Sequence, residues 1–194
     1  MSRVVVINHL TLDGVMQAPG RPDEDRRGGF EHGGWSPPYG DEVMGAALGA
    51  RMAESGGLLL GRRTYEDLLS YWNTQTDNPF TEALNTAPKY VASRTRREPL
   101  PWSNSSLLEG DAADAVAELK KKPGEDLHIM GSGALIQSLI GPGLIDEYLL
   151  MIHPLVLGSG RRLFPDGSPS TTLRLADTRT TTTGVVIATY QPIE

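Results

Sequence analysis

Residues 128–135 read His-Ile-Met-Gly-Ser-Gly-Ala-Leu, and the change of pattern inside this stretch sets the class of fold. His128 to Met130 form a short apolar run of strand type, while Ser132 opens a helical pattern that stops at Gly141-Pro142-Gly143. A strand that passes through glycines straight into a helix is the joint of an α/β sheet. The same joint has a chemical consequence. Glycine lets a ligand approach the backbone, and a helix start offers unpaired N–H groups and a positive dipole end, so Gly131, Ser132 and Gly133 form a candidate phosphate cradle. A plain tight turn is the alternative reading. An ordinary dinucleotide fingerprint would carry a third glycine near position 136, which is isoleucine, so a standard Rossmann domain is disfavoured.

Working outward, Val4 to Ile7, Leu58 to Leu60, Tyr90 to Ala92 and residues 148–157 are further strand-like runs, uninterrupted as expected for strands covered on both faces. Helices are predicted over 41–54, 64–71 and 111–121. The first has Met44, Leu48 and Met52 at fourfold spacing, with Asp41 and Glu42 in its first turn and Arg51 near its end. The alternation implies an α/β architecture with a mainly parallel sheet. Residues 173–175 and 185–190 flank a threonine-rich segment and read as an antiparallel hairpin closing that sheet. Residues 17–40 form a long irregular stretch with several glycines around Phe30 and Trp35, of a length often used for lids and binding loops. Neither a repeat nor a linker divides the chain, so one domain over 1–194 is expected.

The chain has 194 residues, 39% of them hydrophobic and 22% charged, no cysteine and a net charge of −6. Lack of cysteine excludes disulfides, thiolate nucleophiles and cysteine-ligated metal, so redox chemistry would need a bound organic cofactor. The negative balance argues against nucleic acid or an anionic membrane as partner. The apolar run at 4–7 is too short for a signal-peptide core or membrane span, and a cytoplasmic protein is expected. His9, His32, His128 and His153 lack the spacing that puts two ligands on one helix face, so no metal is expected.

Gly61-Arg62-Arg63-Thr64-Tyr65 follows the strand at 58–60 and opens the next helix. This is a second anion site of the same physical kind, and Arg62 or Arg63 can grip a 2′-phosphate, favouring NADP over NAD. A solvated arginine pair is the plain alternative. A P-loop is not formed, because a strand separates Gly56 from Gly61 and arginine stands where lysine belongs. Thr11-Leu12-Asp13-Gly14-Val15 carries Asp-Gly, a turn signal.

Taken in order, these segments resemble the dihydrofolate reductase-like superfamily: Thr-Leu-Asp-Gly after the first strand, Gly-Arg-x-Thr-Tyr, Ser93-Arg94 after a strand, the Gly-Ser-Gly joint, and Pro-Leu-Val-Leu-Gly-Ser-Gly-x-x-Leu-Phe. Residues 153–164 are similar to the C-terminal reductase domain of the bifunctional riboflavin-biosynthesis deaminase/reductase. The resemblance implies a three-layer fold, with a central mainly parallel sheet, helices on both faces and NADPH across the C-terminal strand ends. Carried over by position, Leu12, Asp13 and Gly14 would line the nicotinamide, while Gly61, Arg62, Arg63 and Thr64 would hold the adenosine-side phosphates. Ser93 and Arg94 would lie near the adenine ribose, and Met130, Gly131, Ser132, Gly133, Ala134 and Leu135 would wrap the pyrophosphate.

The expected activity is NADPH-dependent reduction of a small heterocycle, resembling 5-amino-6-(5-phosphoribosylamino)uracil reduction. A dihydrofolate or other pteridine reductase and a non-catalytic NADPH-binding module are the alternatives. Folate-reducing relatives carry an acid on the second element that bonds the pterin ring, and Asp41 or Glu42 could stand there, although helix capping explains both. Asp13 and Asp41 are the candidate proton donors. Trp35, Asp41, Arg161 and Arg162 are the candidate substrate residues, Trp35 as a stacking face or as core, the arginines as a phosphate clamp or as a basic hairpin tip. A homodimer is expected, with the apolar segment 148–157 as a sheet-edge interface.

Overall fold

The structure is a computed structural model that describes residues 1–76 and 78–193. In chain order its elements are β1 (Val4–Thr11), α1 (Glu42–Ala53), β2 (Ser55–Gly61), α2 (Arg62–Trp72), α3 (Pro79–Thr86), β3 (Lys89–Ala92), β4 (Ser105–Leu107), α4 (Ala112–Lys121), β5 (Asp126–Met130), α5 (Gly133–Ile140), β6 (Glu147–His153), β7 (Leu173–Thr180) and β8 (Val186–Pro192). All eight strands join one sheet in the order β4-β3-β2-β5-β1-β6-β8-β7. The pairings are parallel from β4 to β6 and antiparallel between β6 and β8 and between β8 and β7.

Strand alternation sorts the apolar runs onto two faces. Val4, Val6, Leu59, Ile129, Tyr148 and Leu150 meet Val116 of α4 and Leu135, Ile136 and Leu139 of α5 on one face. Val5, Ile7, Leu149 and Met151 meet Met44 of α1 on the other. Leu58, Leu60 and Val91 meet Tyr65 of α2 and Leu84 of α3. The fold is therefore an α/β sheet between helical layers, with a C-terminal antiparallel hairpin, as the patterns imply.

Three expectations change. The strand read at 148–157 ends at His153 and lies between β1 and β8, so it is an interior strand and has no free edge for a dimer interface. The edges belong to β4 and β7. β7 is far longer than 173–175, because pairing with β8 continues through the threonines to Thr180↔Val186. Finally, α3 and β4 escaped the periodicity reading. Asn78 accepts a hydrogen bond from Phe80 N (2.9 Å) and so starts α3, but that helix is only eight residues long, too short for a clear period, and β4 is only three residues long.

Candidate functional site

Beyond the C-terminal ends of β1, β2 and β5 lies a cavity of about 1010 Å³, at the top of the ~300–1,000 Å³ range of small-molecule pockets. It opens where β2 and β5, neighbours in the sheet, send their following helices to opposite faces: α2 packs with Leu58 and Leu60, α5 with Leu59 and Ile129. Such a switch point leaves a crevice with two helix starts aimed into it.

Those starts differ from the others in the chain. Asp41 caps α1 by accepting from Met44 N, Asn78 caps α3, and Asp111 caps α4 by accepting from Ala113 N and Asp114 N. α2 and α5 have no side-chain cap. A helix start leaves orphan N–H groups that need a partner, and here two uncapped starts face the same cavity, with Arg63, Thr64, Gly133 and Ala134 in its wall.

Ser132, the residue type and position that would ordinarily cap α5, is turned away from that task. It adopts φ 51°, after Gly131 at φ 59°, and its hydroxyl donates to Met130 O (3.1 Å) while accepting from Gly61 N (3.0 Å). Ser132 N donates to Thr64 Oγ1 (3.0 Å), and Gly131 N donates to Asn8 Oδ1 (2.8 Å). A non-glycine residue in the left-handed region costs on the order of 1–3 kcal/mol and persists only where surrounding bonds enforce it. Here Asn8, Thr64 and Gly61 enforce it, and they tie the two candidate anion sites into one rigid wall. Glycine is favoured at 131, where φ is positive and an added Cβ would also stand 3.2 Å from Thr64 Cγ2.

A further part of the wall, packed against α5 through Gln137 Nε2 donating to Arg162 O (3.4 Å), comes from two turns that dock on one another. Asp13 accepts hydrogen bonds from Gly158 N (2.8 Å), Leu157 N (3.2 Å) and Thr11 Oγ1 (2.5 Å), and Leu12 N donates to Leu155 O. Leu163 N donates to Gly14 O and Met16 N to Arg161 O. The segments 11–16 and 155–163 are thus a single clamp, and it delivers Gly160, Arg161 and Arg162 to the cavity. Gln17 extends it: its Oε1 accepts from Arg161 N (2.9 Å), and its Nε2 donates to Asp25 O and Arg27 O. This brings residues 24–27 of the long loop to the rim.

Of the residues expected at the site, the cavity wall contains Arg63, Thr64, Met130, Gly131, Ser132, Gly133, Ala134, Arg161 and Arg162. Gly61 supports it through Ser132. Arg62 turns along α2 to Glu66 (3.0 Å), which also holds Arg96. Leu135 is buried in the core, and Leu12 is exposed. Ser93 accepts from Thr95 N and Arg96 N in a turn beyond β3, and with Arg94 and Gly14 it lies outside the wall.

Three candidate catalytic or substrate residues, Asp13, Asp41 and Trp35, stand outside the cavity wall. Asp13 spends its oxygens on the clamp, and these bonds hold its carboxyl below the usual carboxylate range, which unsuits it to donate a proton. Asp41 caps α1 and accepts from Thr182 N (2.7 Å) and Thr182 Oγ1, outside the wall and likewise held ionised. Trp35 is buried with Val15, Ala18 and Phe30, its Nε1 donating to Gln17 O (2.8 Å), so it fastens the long loop and does not face the cavity.

Sequence reasoning missed Asn8 and underrated His9. His9 lines the cavity, and its Nδ1 lies 2.9 Å from His153 Nε2. In the parallel register His9 pairs with Met151 and Thr11 with His153, which makes the two histidines diagonal neighbours on one face. Burial pushes both imidazoles down, each to about 4.

Comparison with known proteins agrees with this geometry. Residues 3–187 match the RibD C-terminal domain family. The chain is 37% identical over 139 residues to the uncharacterized protein YyaP of Bacillus subtilis, covering 69% of this chain and 72% of that protein. A candidate riboflavin biosynthesis protein from Shewanella sp. PV-4 superposes with a TM-score of 0.73 at 26% identity, over 99% of both chains. A dihydrofolate reductase from Enterococcus faecalis, complexed with NADP(H) and RAB-propyl, shares the fold with a TM-score of 0.62 at 13% identity, over 99% of this chain and 97% of that one. The fold is thus dihydrofolate reductase-like, and the chain belongs to the RibD C-terminal domain family, a family of reductase domains.

Proposed function

We propose that the protein is an NADPH-dependent reductase of a small, planar, phosphorylated heterocycle, in the manner of 5-amino-6-(5-phosphoribosylamino)uracil reduction. The observation that carries this reading is the pair of uncapped helix starts, α2 and α5, locked together by Ser132 and Thr64 on one cavity wall. Their free N–H groups, with Arg63 beside them, fit the phosphates of a dinucleotide. When bound, NADPH supplies the hydride; the chain binds and orients both partners and excludes water. Arg161 and Arg162, also in the cavity wall, suit a substrate phosphate. The reading goes with a cytoplasmic NADPH pool and a homodimer, the latter testable by light scattering.

Thermal melting with NADPH is the direct test. At about 100 times its Kd the cofactor should add about 2.7 kcal/mol, or roughly 5–10 °C in Tm for a chain of this size. No rise in Tm and no change in NADPH fluorescence would remove the reading. Asn8→Ala deletes the acceptor for Gly131 N, and calorimetric titration should show NADPH affinity reduced about 10-fold, the equivalent of one lost hydrogen bond of ~1.4 kcal/mol. An unchanged affinity would mean that the Gly131–Ser132 turn does not contact the cofactor.

A further inference from the structure

We propose that His9 contacts the ring of the substrate in this cavity: its Nε2 presents a hydrogen-bonding group of reversible sense to an uncharged, carbonyl-bearing planar ring, with His153 as the positioning residue behind it. The inference rests on the reductase reading, and it names the chemistry of the substrate end.

The geometry begins with the shared hydrogen bond. His9 commits Nδ1 to His153 Nε2 at 2.9 Å. Among the described residues Nε2 of His9 has no hydrogen-bond partner, and the ring forms part of the cavity wall beside Ile7 and Met130. His153 is fully buried. Edge-on contacts with Trp35 (5.1 Å, 85°) and Tyr39 (5.4 Å, 85°) fix its plane, and its Nδ1 has no partner. Among the described residues, the only polar group that the His153 side chain addresses is therefore His9, whose ring it orients.

A hydrogen bond between two ring nitrogens needs one N–H and one lone pair, so the pair carries at most one extra proton. No carboxylate contributes to the titration of either ring, and burial disfavours the charged form of both. Two neutral arrangements remain. If His153 Nε2 donates, His9 Nε2 bears the proton and donates into the cavity. If His9 Nδ1 donates, His9 Nε2 accepts from the cavity. In both arrangements His153 Nδ1 is unsatisfied, so neither sense is favoured by that buried atom. The ligand's own polarity decides between them, as a ring carrying both C=O and N–H groups requires.

This end of the cavity is also unsuited to a cationic ring. A buried cation needs a compensating charge, and a neutral imidazole pair supplies none. Four carboxylates of the wall are engaged elsewhere, Asp25 with Arg27, Asp67 with Arg21, Glu66 with Arg62 and Arg96, and Glu24 with Gly20 N and Arg21 N, and the fifth, Asp166, belongs to the segment that follows Arg162 and not to the strand end that carries His9.

The test uses the intact protein, labelled with ¹⁵N-histidine, with and without NADPH, and 5,6-diaminouracil as a neutral probe. The His9 Nε2 resonance should move on adding the probe while remaining in the neutral range. His9→Ala should weaken probe binding by roughly 10-fold or more, His9→Gln should recover part of it, and NADPH affinity should stay within about two-fold. His153→Phe should shift the His9 resonance and weaken the probe without touching NADPH. Unchanged probe affinity in both His9 variants, or a wild-type protein that binds NADPH but not diaminouracil, would overturn the inference. Probe binding that depends on His9 in a protein that does not bind NADPH would instead overturn the reductase reading and leave the His9 assignment standing.

Discussion

Replacing Gly160 by alanine is expected to destabilise the protein by about 2–6 kcal/mol. Its φ is +120°, outside the small left-handed region open to other residues, and holding alanine there costs on the order of 1–3 kcal/mol. An added Cβ would lie 2.7 Å from Phe30 Cε2 and 2.7 Å from Val15 Cγ1. Both neighbours are packed in the core that anchors the long loop, so neither can swing aside, and overpacking of this kind costs typically 1–3 kcal/mol. Urea unfolding should show the loss as a shift of midpoint with little change of slope, and Tm should fall by roughly 5–20 °C. Gly158→Ala is the comparison. Gly158 also has a positive φ, of 73°, but no atom lies within 4 Å of its added Cβ, so only the backbone cost of about 1 kcal/mol applies. If the two variants unfold alike, the docking of Gly160 against Phe30 and Val15 is wrong. Because Gly160 carries Arg161 and Arg162 into the cavity, the same substitution should also weaken anion binding there.

Acidification should weaken the fold between pH 6.5 and about 4, and the histidine pair is the reason. Each imidazole has its folded pKa lowered from 6.5 to about 4. Over that window the unfolded chain therefore binds more protons than the folded one, and stability falls as pH falls. One such shift amounts to about 3 kcal/mol, and the shared hydrogen bond prevents both rings from charging together. His128, fully buried with neither nitrogen bonded and its pKa also lowered, adds to the same slope. The carboxyls held low, including Asp13, Asp25 and Glu147, lose their contribution from about pH 5 downward, so they overlap only the acid end of this window. The pH dependence of urea unfolding in the double variant His9→Gln, His153→Phe should have a shallower slope between 6.5 and 4, leaving the share due to His128. An unchanged slope would show that the pair does not titrate as its burial implies.

Much of the fold was legible because its signals are short. The runs at 4–7 and 58–60 needed only neighbouring residues to read as buried strands, and Asp41 and Asp111 stand where their helices begin. The Gly-Ser-Gly joint was legible too, and the structure brings it to the cavity. The interior position of β6 was not legible, since an apolar run is equally apolar at an edge and at the centre of a sheet. Trp35 was ambiguous for a similar reason: an aromatic in a glycine-rich loop reads equally as core or as a ligand platform until its contacts with Val15 and Phe30 are known. Asp13 gave a turn signal, but its partners at 157 and 158 lie far along the chain.

The sequence by itself determined the alternation of strands and helices, the two glycine-bearing junctions and the order of motifs that identifies the family, because hydrogen-bonding periodicity and capping act over a few residues. Only the tertiary structure decided what those junctions do. It showed that Ser132 bonds Gly61 and Met130 and leaves α5 uncapped, that the turn at 11–16 clamps the segment at 155–163, and that His9 meets His153 across 144 residues. Such pairings depend on parallel register and on the docking of distant turns, and those are set by the whole core rather than by any local stretch.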